Sequence, residues 1–241
     1  MTLKSMLLKF KRVLNPQPSA QGVNPYWRQL SSADIAAGQH RAFVGGMWEE
    51  VGRLQLEFMK QQGLRPEHRL VDIGCGALRG GIHFVRYLHE GNYCGVDLNS
   101  SLIEAGKREL ASAGLSHKRP HLLVNDKFEA SRFGATFDYA IAVSVFTHVY
   151  MNHIVRCLVE TLRVLKPEGK FYATFFEAPH AAHINQITHR RGGITTNYDA
   201  DPLHYSFSEM EALASGAGIS VELIGEWQHP RDQQMLCFTH R

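Results

Sequence analysis

The sequence predicts a doubly wound α/β fold, with seven strands in one mostly parallel sheet, an antiparallel last strand and an N-terminal helical lid. Three observations predict it. From Arg69 onward, apolar β-branched runs alternate with helical stretches, and such alternation implies parallel strands covered on both faces. A glycine turn, Gly74-Cys75-Gly76, follows the first run, and an acid, Asp97, closes the second. The 241 residues suffice for one domain of this kind with additions and are few for two.

Taken in order, residues 1–15 place Leu3, Met6, Leu7, Phe10, Val13 and Leu14 at helical spacing with Lys and Arg between them, an amphipathic basic helix ended by Asn15-Pro16-Gln17-Pro18. Two readings of it stand: a helix packed on the body or frayed at a terminus, and one making weak peripheral contact with an anionic membrane surface. Residues 16–62 read as the lid. Tyr26, Trp27, His40 and Phe43 lie in a polar, aromatic stretch, and a helix over 47–62 carries Val51, Leu54, Leu56, Phe58 and Met59.

Residues 63–241 form the sheet domain, with strands expected at Leu70 to Ile73, Tyr93 to Val96, His121 to Val124, Tyr139 to Val143, Lys170 to Phe176, Ile219 to Ile224 and Gln234 to Thr239. The last two, joined through Pro230, suit an antiparallel hairpin at the far edge of the sheet. An insertion at 177–205, rich in His and Gly, separates the fifth strand from the next helix, for which Ser208-Glu209-Met210-Glu211 offers a capping box. Connections of that length are usually functional or disordered.

Composition narrows the function. No apolar run approaches the roughly 20 residues that cross a bilayer, and no small-residue cleavage site follows a continuous apolar core, which argues against a secretory signal. Cys75, Cys94, Cys157 and Cys237 are scattered singly, so neither a disulfide scaffold nor a cysteine metal site is expected and a reducing cytoplasm is the expected setting; the basic helix adds the inner face of a membrane as a second location. Five of the 26 basic residues precede the first acid, Asp34, leaving 21 against 23 acids in the rest. A near-neutral body argues against a nucleic-acid partner, which draws much of its affinity from clustered Lys and Arg.

The glycine turn sits where a strand hands over to a helix, and glycines there let backbone approach a ligand closely. Asp97, 21 residues beyond Gly76, is placed for a carboxylate to accept bonds from both hydroxyls of a ribose. These features fit any nucleoside cofactor. A dinucleotide fingerprint starting at Gly74 requires glycine at position 79, where this chain has Arg79, so NAD is disfavoured.

Val71-Asp72-Ile73-Gly74-Cys75-Gly76 resembles the first motif of the class I S-adenosylmethionine-dependent methyltransferases, and later segments agree. Gly95-Val96-Asp97-Leu98 resembles their ribose-binding strand end, and Asn125-Asp126-Lys127-Phe128 their adenine loop. Phe137 to Val149 resembles the fourth strand with its catalytic-face loop, and Arg163 to Lys170 the turn into the fifth. The resemblance runs from Leu64 to Arg241; Leu78 stands where many relatives place a third glycine. It implies the Rossmann-like methyltransferase fold and S-adenosylmethionine as cofactor. Asp72 would help hold its amino group, Gly74 and Gly76 would line its methionine part, and Asp97 would hold the ribose. Asn125 or Asp126, with Lys127 or Phe128, would face the adenine, and Ser144 and Val145 would border the transferred methyl. Cys75 and Leu98 count among the cofactor contacts, Cys75 as a small loop filler rather than a nucleophile.

Methyl transfer from a sulfonium is an in-line displacement that positioning can accelerate greatly, and a hydroxyl acceptor also needs a base. The candidates are His148, His180 and Glu177, each near a strand end on the ligand face; each histidine is also readable as a structural hydrogen-bonding residue. His180-Ala181-Ala182-His183 lacks the glutamate of the zincin helix, so no metal is expected. Ser144-Val145-Phe146-Thr147 stands where exocyclic-amine methyltransferases show Asn-Pro-Pro-aromatic. The expected acceptor is therefore a small-molecule, glycan or lipid-like compound, methylated at oxygen. Tyr26, Trp27, Phe43 and Trp48 either close over it or pack beneath the amphipathic segment. The competing functions are a non-catalytic S-adenosylmethionine-binding regulatory or assembly protein and an NAD-linked oxidoreductase.

Overall fold

The computed structural model describes residues 24–179 and 183–241. The basic helix expected at 1–15, the first residues of the lid and His180 lie outside the described residues.

The sheet contains seven strands: β1 (Leu70–Ile73), β2 (Tyr93–Asp97), β3 (His121–Val124), β4 (Phe137–Ala142), β5 (Leu165–Phe175), β8 (Ile219–Gly225) and β9 (Gln234–His240). Their spatial order is β3-β2-β1-β4-β5-β9-β8. The first five pair in parallel, and β9 runs antiparallel to both β5 and β8. The final hairpin lies at the far edge of the sheet as expected, with its second strand between β5 and its own partner and β8 at the edge. β9 is buried over most of its length while β8 is half-exposed, and the more continuous apolar run takes the interior position. The insertion holds a further two-stranded ribbon, β6 (Ile187–Thr188) with β7 (Thr195–Thr196).

Side chains alternate across the sheet as the two-residue period requires. Val71, Ile73, Ala140, Phe171 and Phe175 face a core closed by Ile154, Cys157 and Leu158 of α6 (Met151–Leu162) and Met210 and Ala214 of α7 (Phe207–Gly216). Leu70, Ile141 and Tyr172 face the opposite core, with Phe58 and Met59 of α3 (Trp48–Gln61), Phe84 of α4 (Gly81–Tyr87) and Ile103 and Leu110 of α5 (Ser100–Ser112). Helix α7 is capped two residues earlier than expected. Ser206 accepts from the Glu209 amide, and Glu209 accepts from the Ser206 amide. Phe207 can then enter the first turn and pack against the core.

Ahead of α3 lie α1 (Ser32–Ala36) and α2 (Gln39–Phe43). This segment is fastened across the C-terminal edge of the sheet. The Asn99 side chain donates to the carbonyls of Tyr26 (2.7 Å) and Arg28 (2.9 Å), and Ser101 accepts from the Leu30 amide at 2.9 Å. Buried Glu109 of α5 takes both Arg41 and His40 of α2 at 2.7 Å.

Candidate active site

One crevice opens at the carboxyl ends of β1, β2 and β4, enclosing about 960 Å³ of space that is partly open to solvent. Open α/β sheets bind ligands at this place because adjacent strands there send their connections to opposite faces. Asp72, Gly74, Cys75, Gly76, Asp97, Leu98, Asn125, Asp126, Phe128, Ser144, Val145 and His148 all border it.

The floor is the turn after β1. Gly74 and Gly76 have φ of 70° and 53°, in the left-handed region that glycine adopts without penalty. A Cβ on Gly74 would meet Val145 Cγ2 at 2.5 Å, and one on Gly76 would meet Val44 Cγ1 at 3.2 Å. The turn thus leaves a backbone cradle that a side chain would fill. Leu78, in the third-glycine position, also adopts a left-handed φ of 67°, with its side chain fully buried.

Two buried carboxylates stand over this cradle. Asp97 accepts the Gly76 and Asn99 amides, each at 2.8 Å. Burial raises its pKa to about 6 against the pull of those amides. Asp72 accepts the Tyr93 hydroxyl at 2.7 Å, and burial, reinforced by the nearby Asp97 charge, raises it to about 7. Both hold their charge only weakly near neutrality, and a cation in the crevice would stabilise the ionised forms.

Arg79 donates to the carbonyls of Val44 (3.0 Å) and Gly46 (3.1 Å), and Arg231, from the β8–β9 connection, donates to Gly45 between them. Burial, then the proximity of Arg231, lowers Arg79 to about 10. Neither arginine has a carboxylate partner among the described residues. The buried Gln55 amide of α3 also borders the crevice, and among the described residues its side chain has no hydrogen-bond partner.

Opposite, the Ser144 amide donates to Thr174 Oγ1 at 2.7 Å, and both hydroxyls donate to Gln233 Oε1. This shapes the loop that carries Val145 and His148. His148 receives the Tyr26 ring edge-on at 4.8 Å, its carbonyl accepts from Asn24 at 2.7 Å, and its Nδ1 contacts Asp201 of the insertion.

Residues 71–171 match the family model of a methyltransferase domain. The match covers 101 of the 241 residues, a likeness to a methyltransferase domain from β1 into β5. Among relatives, the demethylmenaquinone methyltransferase of Symbiobacterium thermophilum is 25% identical over 179 residues, 69% of this chain and 65% of that protein. Phthiotriol/phenolphthiotriol dimycocerosates methyltransferase 1 of Mycobacterium ulcerans is 34% identical over 160 residues, 60% of this chain and 56% of the relative. The chain thus spans under two thirds of the length of these proteins. A crystal structure of an S-adenosylmethionine-dependent methyltransferase from Clostridium acetobutylicum superposes with a TM-score of 0.62 at 11% identity, covering 87% of this chain and 99% of that one, a likeness of fold.

Two expected site residues lie away from the crevice. Lys127 is exposed and does not border the crevice. Asn125 Oδ1 accepts the amides of Lys127 and Glu129 (both 2.9 Å), and the tight turn that results brings Phe128, not Lys127, to the crevice wall. Glu177 lies two residues beyond β5, bridges to Tyr205 and does not border the crevice. Gln55, Arg79 and Asp201 were missed. An arginine inside a glycine loop and a glutamine on the buried face of an amphipathic helix were the available signals for the first two, and Asp201 had none. No group of three or more His, Cys, Asp or Glu that could hold a metal occurs among the described residues, and no helix there is long and apolar enough to cross a membrane.

Proposed function

We propose that this protein is a class I S-adenosylmethionine-dependent methyltransferase that transfers the methyl group of S-adenosylmethionine to a hydroxyl oxygen of a small-molecule, glycan or lipid-like acceptor, with His148 as the base. The observation that carries this reading is the crevice itself, where two buried carboxylates, a backbone cradle and a histidine meet at one set of strand ends. Asp72 would meet the cofactor's ammonium group, Arg79 and the unpartnered Gln55 its carboxylate, the Gly74–Gly76 turn its methionine chain and Asp97 the ribose hydroxyls. Asn125, Asp126 and Phe128 border the part of the crevice assigned to adenine.

When bound, S-adenosylmethionine supplies an electrophilic methyl on a sulfonium. The protein's part is to exclude water, hold the acceptor oxygen in line and take up its proton. Tyr26 stays a neutral hydroxyl, because burial, reinforced by Asp201, raises its pKa above the usual phenol value. Asn24, Tyr26, Val44 and Gln55 of the segment over 24–62 border the crevice above the strand ends. The relatives' names, with their small-molecule or lipid acceptors, support an acceptor of that size.

Incubation of the full chain with S-adenosylmethionine tritiated at the methyl, together with fractionated small-molecule and lipid extracts, tests the reading. A labelled methyl ether and S-adenosylhomocysteine are expected, and His148→Ala should lower their formation about 10²-fold or more while retaining cofactor binding. Cofactor binding without labelled product in any fraction would replace it with the non-catalytic alternative.

A further inference from the structure

Asp201 lies 53 positions from His148 in the chain, yet its carboxylate contacts His148 Nδ1. The pairing is built from both sides. The Leu203 amide donates to the Thr147 carbonyl at 2.7 Å, the Tyr205 hydroxyl to the Val149 carbonyl at 2.6 Å, and the Tyr150 hydroxyl to the Asp199 carbonyl at 3.4 Å. Hydrogen bonds thus tie the residues flanking His148 to the residues flanking Asp201. Within the insertion, the Asn197 amide donates to the Pro202 carbonyl at 2.8 Å and the His204 amide returns to the Asn197 carbonyl at 3.1 Å, closing the loop on which Asp201 sits.

The pair is also dedicated. Among the described residues Asp201 has no ion-pair partner besides His148, and His148 Nε2 has no hydrogen-bond partner. Both side chains are about one-fifth exposed, at 20% and 21%, and His148 borders the crevice. A carboxylate on one ring nitrogen keeps the proton there and leaves the lone pair on the other. Surface ion pairs gain little, but a half-buried carboxylate fixed by flanking backbone bonds sets a tautomer.

We propose that Asp201 is a positioning residue which holds His148 as the Nδ1–H tautomer, with Nε2 free to take the proton of a hydroxyl acceptor. This rests on the function proposed above and narrows the acceptor to one carrying an ionisable O–H. As the acceptor oxygen forms its bond to the methyl carbon, its proton passes to Nε2. The carbon–sulfur bond breaks with its electron pair returning to sulfur as a neutral thioether. The positive charge lost from sulfur appears on the imidazolium, beside the Asp201 carboxylate, until the proton is released to water. The loop over 197–204 thereby contributes Asp201 to the active site.

The test records two-bond proton–nitrogen spectra of the full chain carrying ¹⁵N-histidine, with S-adenosylhomocysteine bound, over a pH series taken to the neutral limit of the ring; His148→Ala assigns the signals. The wild-type ring is expected to carry its proton on Nδ1, and the Asp201→Ala and isosteric Asp201→Asn proteins to carry it mainly on Nε2. In the same variants kcat for transfer to the labelled hydroxyl acceptor falls about 10²-fold or more, with KM for S-adenosylmethionine unchanged. An unchanged tautomer in Asp201→Asn, or a changed tautomer with kcat intact, overturns the proposal. Undiminished turnover in His148→Ala removes the base assignment itself, and is told apart because the spectra report the Asp201 contact with no acceptor present.

Discussion

Replacing Asp72 with asparagine should make the empty protein more stable and the cofactor bind more weakly. Burial raises the Asp72 pKa from 3.8 to about 7. A carboxyl raised on folding costs nothing well below its unfolded pKa, where folded and unfolded chains both carry the proton. The penalty grows as the unfolded chain ionises above 3.8 and is complete above about pH 7. Three pKa units correspond to about 4 kcal/mol. Urea unfolding should therefore show Asp72→Asn and wild type nearly equal at about pH 3, with the variant gaining up to about 4 kcal/mol by pH 8; the amide oxygen can still accept from Tyr93. Binding should move the other way. If ionised Asp72 meets the cofactor's ammonium group, wild-type affinity rises about eightfold between pH 6 and 7.5, with about a further twofold from Asp97 at its pKa of about 6. Asp72→Asn should retain only the twofold part and lose about 10- to 100-fold in affinity at pH 7.5, the worth of one charge-assisted hydrogen bond. Calorimetry at the two pH values measures this. Parallel stability curves, or an affinity indifferent to both pH and the substitution, would refute the account of Asp72 as a buried acid facing a cation.

Three further predictions follow from local geometry. Gly74→Ala places a Cβ at 2.5 Å from Val145 Cγ2 on backbone with φ of 70°; strain of about 1–2 kcal/mol should lower Tm, and the narrowed cradle should weaken S-adenosylmethionine binding in equilibrium dialysis. Leu78→Ala empties a fully buried position and should cost about 2–5 kcal/mol in urea unfolding; a loss below about 1 kcal/mol would show that the surrounding side chains close over the vacated space. Burial alone would raise Glu109, but hydrogen bonds from Arg41 and His40 win and hold its pKa below the usual glutamate value. Its contribution is therefore present above the unfolded glutamate pKa and lost as pH falls through the lower folded value, so Glu109→Gln should flatten the acid limb of stability, and an identical limb in the variant would count against the Glu109 latch.

The elements legible in the sequence were those whose causes are local. β1 and β3 begin and end where the apolar runs do, and β2 and the last two strands differ from the expected ranges by one residue, because each is a short run rich in apolar residues bounded by turn residues. Helix α3 reads from the spacing of Val51, Phe58 and Met59. Gly74, Gly76 and Asp97 were likewise visible, since a left-handed turn and a strand-end acid are short-range features. β5 starts five residues early because Leu165 pairs with Phe137 across an irregular register, which a run starting at Lys170 did not reveal.

What the sequence by itself determined is the sheet, its parallel core and the turn that makes the crevice, for each is set by residues within a few positions of one another. Only the tertiary structure decided that β9 enters between β5 and β8, that Lys127 turns away while Phe128 turns in, and that Arg79 and Arg231 hold the same loop over 44–46. It alone brought Asp201 to His148. These pairings join segments tens of residues apart, and their geometry comes from how loops close over a packed sheet, a long-range balance of chain entropy against burial that leaves no periodic trace in the chain.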